Sequence, residues 1–207
     1  MDAHTHDAKA HDSVYILGLE EVLAGKAVEQ SFCAGLHPWE LSKLPQGISV
    51  EQVLAPFRGS ADFVAIGETG LDHLRPDPAL QLRIFLEHWR LSESWQKPLV
   101  LHCVRAQSEI IALLKKHPAA MPWLWHAASI PLPQLEQLLG LHPQLHFSFG
   151  PREIRRANFQ AMWELIPPQR RLIESDDSGV AIEEVCRLAH ADAKVMRENR
   201  DRLFGLS

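Results

Sequence analysis

The chain has 207 residues, of which 46% are hydrophobic, and its formal net charge is −5 at pH 7. This length allows one domain with a sizeable core, although two small domains would also fit. The negative charge argues against a protein that coats duplex DNA through a broad basic face. It does not exclude an enzyme that holds one or two phosphates with metal ions and a few arginines.

Cysteine usage and hydropathy point to an intracellular protein. Cys33, Cys103 and Cys186 form no C-x-x-C pair, which is typical of free thiols in a reducing compartment. No apolar run is long enough to span a bilayer, and the start of the chain lacks the basic and apolar regions of a signal peptide. We therefore expect a cytoplasmic enzyme without membrane contact, and no stable protein partner can be inferred.

The N-terminal part contains short apolar runs with little sequence between them. DAHTH (2–6), SVYILGL (13–19) and EQSFCAGLHPW (29–39) are each typical of a strand. Because the connections are too short for full helices, we expect the first one or two helices of the fold to be reduced to loops.

From Ala61 onward, strand-like and helix-like segments alternate. The predicted strands are ADFVAIGE (61–68), PLVLHC (98–103), PWLWHA (122–127), LHFSFG (145–150) and RLIES (171–175). The predicted helices cover 78–96, 106–117, 131–142, 156–166 and 181–205, and the last one should stop at Gly205.

This alternation indicates βαβ units and a parallel sheet. We predict an α/β fold, a reduced (β/α)₈ TIM-type barrel that forms one domain over residues 1–207. The alternative is an open doubly wound sheet, but that fold would not bring the first and last strands to one site.

Side chains that suit metal binding occur at the C-terminal ends of the predicted strands. They are His4, His6, Glu68, His102, His126 and Asp176. In a (β/α)₈ barrel these strand ends meet at one face, where the active site is built. His4 and His6 are two residues apart, so on a strand both imidazoles point the same way, as two ligands of one metal must. The pattern predicts the ligand set of a metal-dependent hydrolase.

Each of these residues also has a plainer interpretation. His4 and His6 could belong to a mobile histidine-rich terminus, and Glu68 could be a charged turn residue. His102 and His126 could be core imidazoles bonded to backbone carbonyls. In ESDDSG, Glu174 and Asp177 compete with Asp176 for the last ligand position.

Other histidines lie in polar or helical contexts, where we expect surface positions. These are His11, His88, His117, His142 and His190. We expect Asp72 to fix the loop that follows it through a backbone hydrogen bond.

Several motifs, taken in order, resemble the TatD family of metal-dependent hydrolases, whose members are often described as deoxyribonucleases. The matching stretches are DAHTH (2–6), GLHPW (35–39), AIGETGLD (65–72), LHC (101–103), the WHAAS histidine (126), ESDDSG (174–179) and ENRDRLFG (198–205). They extend over nearly the whole chain.

The resemblance implies an amidohydrolase-like barrel that holds one or two divalent metal ions, and we expect two, of Mg, Mn or Zn. The six residues above would be the ligands, with Glu68 between the ions and Asp176 also the general base. His37 in GLHPW matches a pocket position near the scissile phosphate.

The chain also departs from the family pattern. The N-terminal third is compressed, and the family's long loop after the last strand is missing. The His-x-Arg pattern appears as HCVRA, with Arg105 one place later. Arg105, or the group Arg152, Arg155 and Arg156, could hold a non-scissile phosphate, although the group could also be a solvated helix start.

We therefore predict a metal-dependent phosphodiesterase or deoxyribonuclease that acts on DNA ends or small nucleotide substrates. One alternative is a metal-dependent ester, lactone or amide hydrolase, because one barrel supports many chemistries. Another is a catalytically inert metal-binding protein.

Overall fold

The computed structural model describes residues 1–45 and 47–206. Its centre is one sheet of eight parallel strands in which each strand pairs with the next along the chain. The strands are β1 Asp2–Thr5, β2 Ser13–Ile16, β3 Phe32–Ala34, β4 Phe63–Asp72, β5 Leu99–Val104, β6 Trp123–Trp125, β7 Leu145–Phe149 and β8 Arg171–Ile173.

Helices follow most of the strands and cover the outside of the sheet. They are α1 Leu19–Leu23, α2 Val50–Leu54, α3 Pro78–Trp95, α4 Gln107–Lys116, α5 Leu132–Leu141, α6 Pro151–Ile154, α7 Phe159–Leu165, α8 Ile182–Leu188 and α9 Ala193–Phe204. Short 3₁₀ turns occupy Pro38–Lys43, Ala55–Phe57 and Pro168–Arg170.

The sheet curls until its first and last strands meet, which makes a nearly closed (β/α)₈ barrel. A parallel bridge joins Thr5 to Asp176, and the Asp176 N–H donates to the carbonyl of His4 at 3.0 Å. The Ser175 hydroxyl and N–H add hydrogen bonds to the Asp2 carboxylate at 2.6 and 3.0 Å. The predicted barrel is confirmed, because an open doubly wound sheet has no contact between its first and last strands.

The reduction of the early helices is also confirmed. Residues 6–12 join β1 to β2 without a helix, and the five-residue α1 joins β2 to β3. The later strands are followed by longer helices, of which α3 with 18 residues is an example.

Apolar strand residues fill the lower part of the barrel interior. Val100, Leu124 and Leu172 belong to a buried cluster that Leu203 and Phe204 of α9 also join. Since side chains alternate along a strand, the residues two places further on, at the C-terminal ends, point to the same side. Those residues are His102, His126 and Glu174, so the barrel interior changes from apolar to polar near its C-terminal face.

The predicted helix over 181–205 is wrong as one continuous element. The chain forms α8 and α9, with His190 at a positive φ of 50° between them. The Asp192 side chain accepts hydrogen bonds from the N–H groups of Lys194 and Val195, and so starts a new helix. The predicted stop is confirmed, because Gly205 ends α9 in the left-handed conformation.

Two of the five histidines expected on the surface are buried. His88 accepts a hydrogen bond from the Leu36 N–H at 3.0 Å and contacts the Ile84 carbonyl oxygen at 2.7 Å, and His142 packs edge-on against Trp123. The surface prediction is wrong for both, because each finds partners inside the fold. His11, His117 and His190 are exposed as expected, and Cys33, Cys103 and Cys186 are free. In the part of the chain that the structure describes, no helix has the length and apolar character needed to cross a membrane.

Candidate metal centre

Glu68 lies at the centre of a group of imidazoles at the C-terminal face of the barrel. Its Oε2 is 3.2 Å from His4 Nε2 and 3.6 Å from His6 Nε2. Its Oε1 is 2.8 Å from both His102 Nδ1 and His126 Nε2. The two carboxylate oxygens of Glu68 therefore face different pairs of imidazoles.

Glycines on either side of Glu68 let its strand pass close to β5. Gly67 has a φ of 130°, and a Cβ there would lie 2.5 Å from the Val100 carbonyl oxygen. Gly70 has a φ of 150°, and a Cβ there would overlap the carbonyl oxygen of His102. Only glycine fits both positions, because L side chains rarely adopt this backbone conformation.

Asp176 approaches the same group of side chains from the segment after β8, which lies beside β1 where the barrel closes. Its Oδ1 is 3.7 Å from His4 Nε2 and 3.6 Å from His6 Nε2. The side chain is 25% exposed, whereas that of Glu68 is 3% exposed. The structure thus brings all six residues of the predicted ligand set together.

His37 also lies within this group. Its Nε2 is 3.0 Å from Glu68 Oε1, and its Nδ1 accepts a hydrogen bond from the Trp39 N–H at 3.1 Å. An imidazole whose Nδ1 accepts carries its proton on Nε2 when neutral, so Nε2 donates to Glu68. Burial, the largest influence, lowers the pKa of His37 and favours this neutral form. This arrangement suits a hydrogen-bond donor better than a metal ligand.

His4, unlike His37, has the environment expected of a metal ligand. It is fully buried, and neither of its ring nitrogens has a hydrogen-bond partner among the described residues. An unpaired buried polar group costs free energy unless something binds it. The ligand atoms of His4, His6 and Glu68, two ring nitrogens and a carboxylate oxygen, all lie within 4.8 Å of one another. Such mixed donors suit Zn²⁺ or Mn²⁺, and carboxylates also suit Mg²⁺. The residues present therefore fit a divalent metal.

Carboxylates lie behind two of the imidazoles. His102 Nε2 is 3.5 Å from Asp72 Oδ2, and His126 Nδ1 is 3.5 Å from Glu174 Oε1. Such outer carboxylates fix the ring orientation of metal-binding histidines. Glu174 also accepts from the Ala127 N–H at 2.7 Å and from the Ser148 hydroxyl.

The electrostatics of the group stabilise a charged Glu68. Burial opposes its ionisation, but the surrounding imidazoles, His126 first among them, hold the pKa of Glu68 well below its usual range. Burial likewise opposes charge on His126, yet Glu68 and then Glu174 raise its pKa well above the ordinary value.

An open cavity of about 860 Å³ leads to this group. Its wall includes His37, Glu68, His102, His126 and Asp176 of the site. It also carries several cationic side chains, namely Lys43, Arg75, Arg105, Arg152 and Arg156. Arg105, Arg152 and Arg156 thus lie in the cavity wall, whereas Arg155 donates to the Pro151 carbonyl oxygen at 3.1 Å.

Three contacts of the site were not predicted from the sequence. Asp72 was expected to fix its loop, and it does accept from the Leu74 N–H at 2.8 Å, but it also faces His102. The Trp39 indole N–H donates to Asp72 Oδ2 at 2.6 Å. Glu174 faces His126, and its position two residues beyond Leu172 was a signal that it points inward.

The fold and this polar group define a (β/α)₈ barrel with a candidate metal centre at the C-terminal ends of its strands. Residues 10–181 match the family described as TatD related DNase. The chain therefore belongs to the TatD family.

Relatives and solved structures agree with this assignment. The chain is 33% identical over 110 residues, 52% of its length, to the uncharacterized metal-dependent hydrolase YjjV of Escherichia coli K12, of which it covers 42%. It is 30% identical over 152 residues, 70% of its length, to the 3'-5' ssDNA/RNA exonuclease TatD of Edwardsiella piscicida, of which it covers 58%. The chain thus spans about half the length of the curated relatives that it matches.

The solved structures show the same fold. The crystal structure of YjjV from Escherichia coli superposes with a TM-score of 0.73 at 22% identity, over 94% of this chain and 86% of that one. A hydrolase of the TatD family from Entamoeba histolytica also gives 0.73, at 16% identity, over 99% of this chain and 85% of that one.

Proposed function

We propose that this protein is a divalent-metal-dependent hydrolase of phosphodiester bonds, acting on the ends of DNA or RNA or on small nucleotide fragments. One observation carries the proposal: a buried carboxylate, Glu68, has ring nitrogens of five histidines within 3.6 Å. Related proteins that carry the name of 3'-5' nucleases support the choice of substrate.

We assign the ligand role to His4, His6, Glu68, His102, His126 and Asp176, and propose that they hold two ions. Glu68 suits a bridging position because its two oxygens face separate pairs of imidazoles. Bound divalent cations would supply Lewis-acid activation of water and of the phosphoryl oxygens.

Asp176 is our candidate for the general base. Glu68, Asp72 and Glu174 are buried, whereas Asp176 is partly exposed in the cavity wall. A base must come within hydrogen-bond reach of the proton that it accepts, directly or through one water. Asp176 can meet an attacking water from the cavity side and take its proton.

The cavity wall suits an anionic substrate. Lys43, Arg75, Arg105, Arg152 and Arg156 line it in a chain whose net charge is −5. Five acidic side chains also line it, so the formal charges of the wall balance, and bound divalent cations would make the cavity positive; the acidic residues are Glu40, Glu68, Glu153, Asp176 and Asp177. The Arg105 guanidinium can donate to phosphate oxygens in a bidentate manner. The His37 Nε2–H can donate to a phosphate oxygen only in exchange for its hydrogen bond to Glu68 Oε1.

The test combines metal analysis with an activity assay. Purified protein should contain divalent metal by mass spectrometry and shorten 5'-labelled single-stranded DNA or RNA, and a chelator should abolish cleavage. The matched variant is Glu68→Gln, which should be inactive under the same conditions. Cleavage that persists in chelator contradicts the proposal. Hydrolysis of esters or lactones without any phosphodiester cleavage would show that the site acts on another class of substrate.

A further inference from the structure

Two apolar side chains at the cavity are unusually exposed. Leu74 is 60% exposed and Trp39 is 51% exposed, the highest values among the exposed large hydrophobic residues in the described part of the chain. Both line the cavity that leads to Glu68. Large apolar side chains that stay open to water beside a binding cavity need an explanation other than packing.

Trp39 is held in a fixed orientation despite its exposure. Its indole N–H donates to Asp72 Oδ2 at 2.6 Å, and the guanidinium carbon of Arg75 lies 4.4 Å from its ring centroid. Asp72 also accepts from the Leu74 N–H at 2.8 Å. One buried carboxylate therefore organises Trp39 and the segment that carries Leu74 and Arg75.

The same carboxylate connects this surface to the candidate metal centre. Asp72 Oδ2 is 3.5 Å from His102 Nε2, and the Trp39 ring centroid is 5.9 Å from that of His102. Trp39 also packs edge-on against His37 at 5.2 Å. A group bound on Trp39 would therefore lie next to a phosphate bound at the candidate metal centre, because Asp72 contacts both Trp39 and His102.

We propose that Trp39, Leu74 and Arg75 form a nucleobase platform, which takes the base adjacent to the scissile phosphate by stacking. This inference rests on the proposed function and names the substrate contact of that site. Aromatic side chains stack on any base because every base has a π face, and an arginine beside the ring adds attraction to the nucleotide. The indole N–H is already bonded to Asp72, so Trp39 has no free hydrogen-bonding group with which to distinguish one base from another. The platform should therefore accept all four bases.

The experiment compares two oligonucleotides that differ in one base. One is a 5'-labelled single strand, and the other has an abasic residue at its 3' end. Binding is measured by fluorescence anisotropy in chelator, and cleavage separately as kcat/KM with divalent metal. Stacking on an aromatic residue contributes about 1–3 kcal/mol per base, so the parent should prefer the complete strand by about 5- to 150-fold.

Variants of Trp39 test whether its ring causes the preference for the complete strand. Trp39→Leu should reduce the ratio between the two oligonucleotides to near one, and Trp39→Phe should keep part of it. The control is Trp95→Leu, because Trp95 also carries an arginine over its ring, with Arg58 at 5.2 Å, but lies outside the cavity. That variant should keep the parent's ratio, and circular dichroism melts confirm that each variant folds.

The outcomes separate this inference from the proposed function. A parent that cleaves both oligonucleotides equally, or a Trp39→Leu variant that keeps the ratio, overturns the platform and leaves the hydrolase. A parent that prefers the complete strand in binding without cleaving it supports the platform and overturns the hydrolase. A parent that neither binds nor cleaves either strand overturns both.

Discussion

At the scale of single residues, the carboxylates of the site differ in what surrounds them. Glu68 is enclosed by imidazoles, Glu174 by His126, the Ala127 N–H and Ser148, while Asp176 keeps an open side toward the cavity. A base needs access to water, whereas a ligand or an orienting group does not. The environments therefore separate roles that the residue types alone leave equivalent.

Replacing Asp176 with Asn tests its role as a base. Asn keeps the shape and one oxygen donor but cannot accept a proton at neutral pH. General acid–base groups contribute on the order of 10² to 10⁴-fold in rate, so kcat should fall by that amount while metal is retained at least in part. Steady-state kinetics on single-stranded DNA measure the first effect and metal analysis the second.

The control for this variant is Asp177→Asn, since Asp177 is the next residue and also lines the cavity. It should hydrolyse DNA at close to the parent rate. An Asp176→Asn protein as fast as the parent would move the base role to another carboxylate.

Replacing Glu68 with Gln tests its place between two cations. The amide loses the negative charge and one of the two oxygens that face separate pairs of imidazoles. Metal content after dialysis, measured by mass spectrometry, should fall below that of the parent. Glu40→Gln is the control, because Glu40 lies in the cavity wall but pairs with Lys43. Equal metal content in parent and Glu68→Gln would contradict a bridging role.

The site was predictable from sequence where a polar residue directly follows a predicted strand. His102 and His126 each follow an apolar run, and the barrel turns that position into a shared face. Glu174 obeys the same rule two residues beyond Leu172, but in the sequence it competes with Asp176. The hydrogen bond between Trp39 and Asp72 could not be predicted. It joins the end of β4 to the 3₁₀ turn Pro38–Lys43, and the two residues are 33 positions apart in the sequence.

At the scale of elements, β4 and β5 approach closely where glycine leaves room. Gly70→Ala would place a methyl group on the His102 carbonyl oxygen at a φ of 150°. Backbone strain and displacement of β5 should cost roughly 3 kcal/mol or more in the free energy of unfolding, and metal content should also fall. Urea denaturation measures the first quantity.

The matched control is Gly140→Ala in α5, where a Cβ meets nothing within 4 Å. Alanine in a helix gains about 0.5–1 kcal/mol over glycine, so this variant should be slightly more stable than the parent. If both substitutions had the same small effect, the close contact between β4 and β5 would not constrain the fold.

Asp12 joins the connection between β1 and β2 to α9. It pairs with Arg197 Nη2 and with Arg200 Nη1, each at 2.7 Å. Burial alone would raise the pKa of Asp12, but the hydrogen bonds from Arg197 and Arg200 hold it well below its ordinary value. A carboxyl group with a lowered pKa stabilises the fold above its unfolded pKa, about 3.9, and this contribution is lost as the pH falls through the lower, folded pKa.

Asp12→Asn should therefore be less stable than the parent at pH 7, and the difference should shrink as the pH falls below about 4. Denaturation at a series of pH values in chelator measures the difference. Asp62→Asn, at an exposed position, serves as the control and should change little. A difference between Asp12→Asn and parent that stays constant down to acid pH would show that charge is not the cause.

The elements themselves were largely predictable, and the exception has a local cause. The strands and α3 follow from apolar runs and helical periodicity. The break between α8 and α9 depends on Asp192, whose capping signal lies inside a segment that is helix-forming on both sides. Periodicity over 181–205 does not register a single capping residue. The buried His88 and His142 were missed for a different reason, since their partners, Leu36 and Trp123, come from distant parts of the chain.

At the scale of the whole molecule, the barrel closes by a small number of contacts between its first and last strands. The backbone of Asp176 bonds to His4 and His6 at 3.0 and 3.3 Å, and Ser175 bonds to Asp2. The candidate ligands His4, His6 and Asp176 lie on the two sides of this seam. A cation held by all three would join β1 to the segment that follows β8.

Divalent metal should therefore stabilise the whole barrel. A ligand that binds only the folded state adds about 2.7 kcal/mol at a concentration one hundred times its Kd. For a domain of this size, each kcal/mol shifts Tm by about 2–4 °C, so the melting temperature should rise by roughly 5–11 °C. Calorimetry with metal and with chelator measures the shift. Hydrogen exchange should show slower exchange in β1 when metal is present, because β1 is one side of the seam.

His6→Ala provides the matched comparison for this last effect. His6 is 40% exposed, so its removal leaves no cavity in the core, and its Nε2 lies 3.6 Å from both Glu68 and Asp176. The variant should melt close to the parent in chelator and gain less from added metal. If metal raised both melting temperatures equally, the stabilising ion would lie away from the seam. If it raised neither, the cluster around Glu68 would hold no metal.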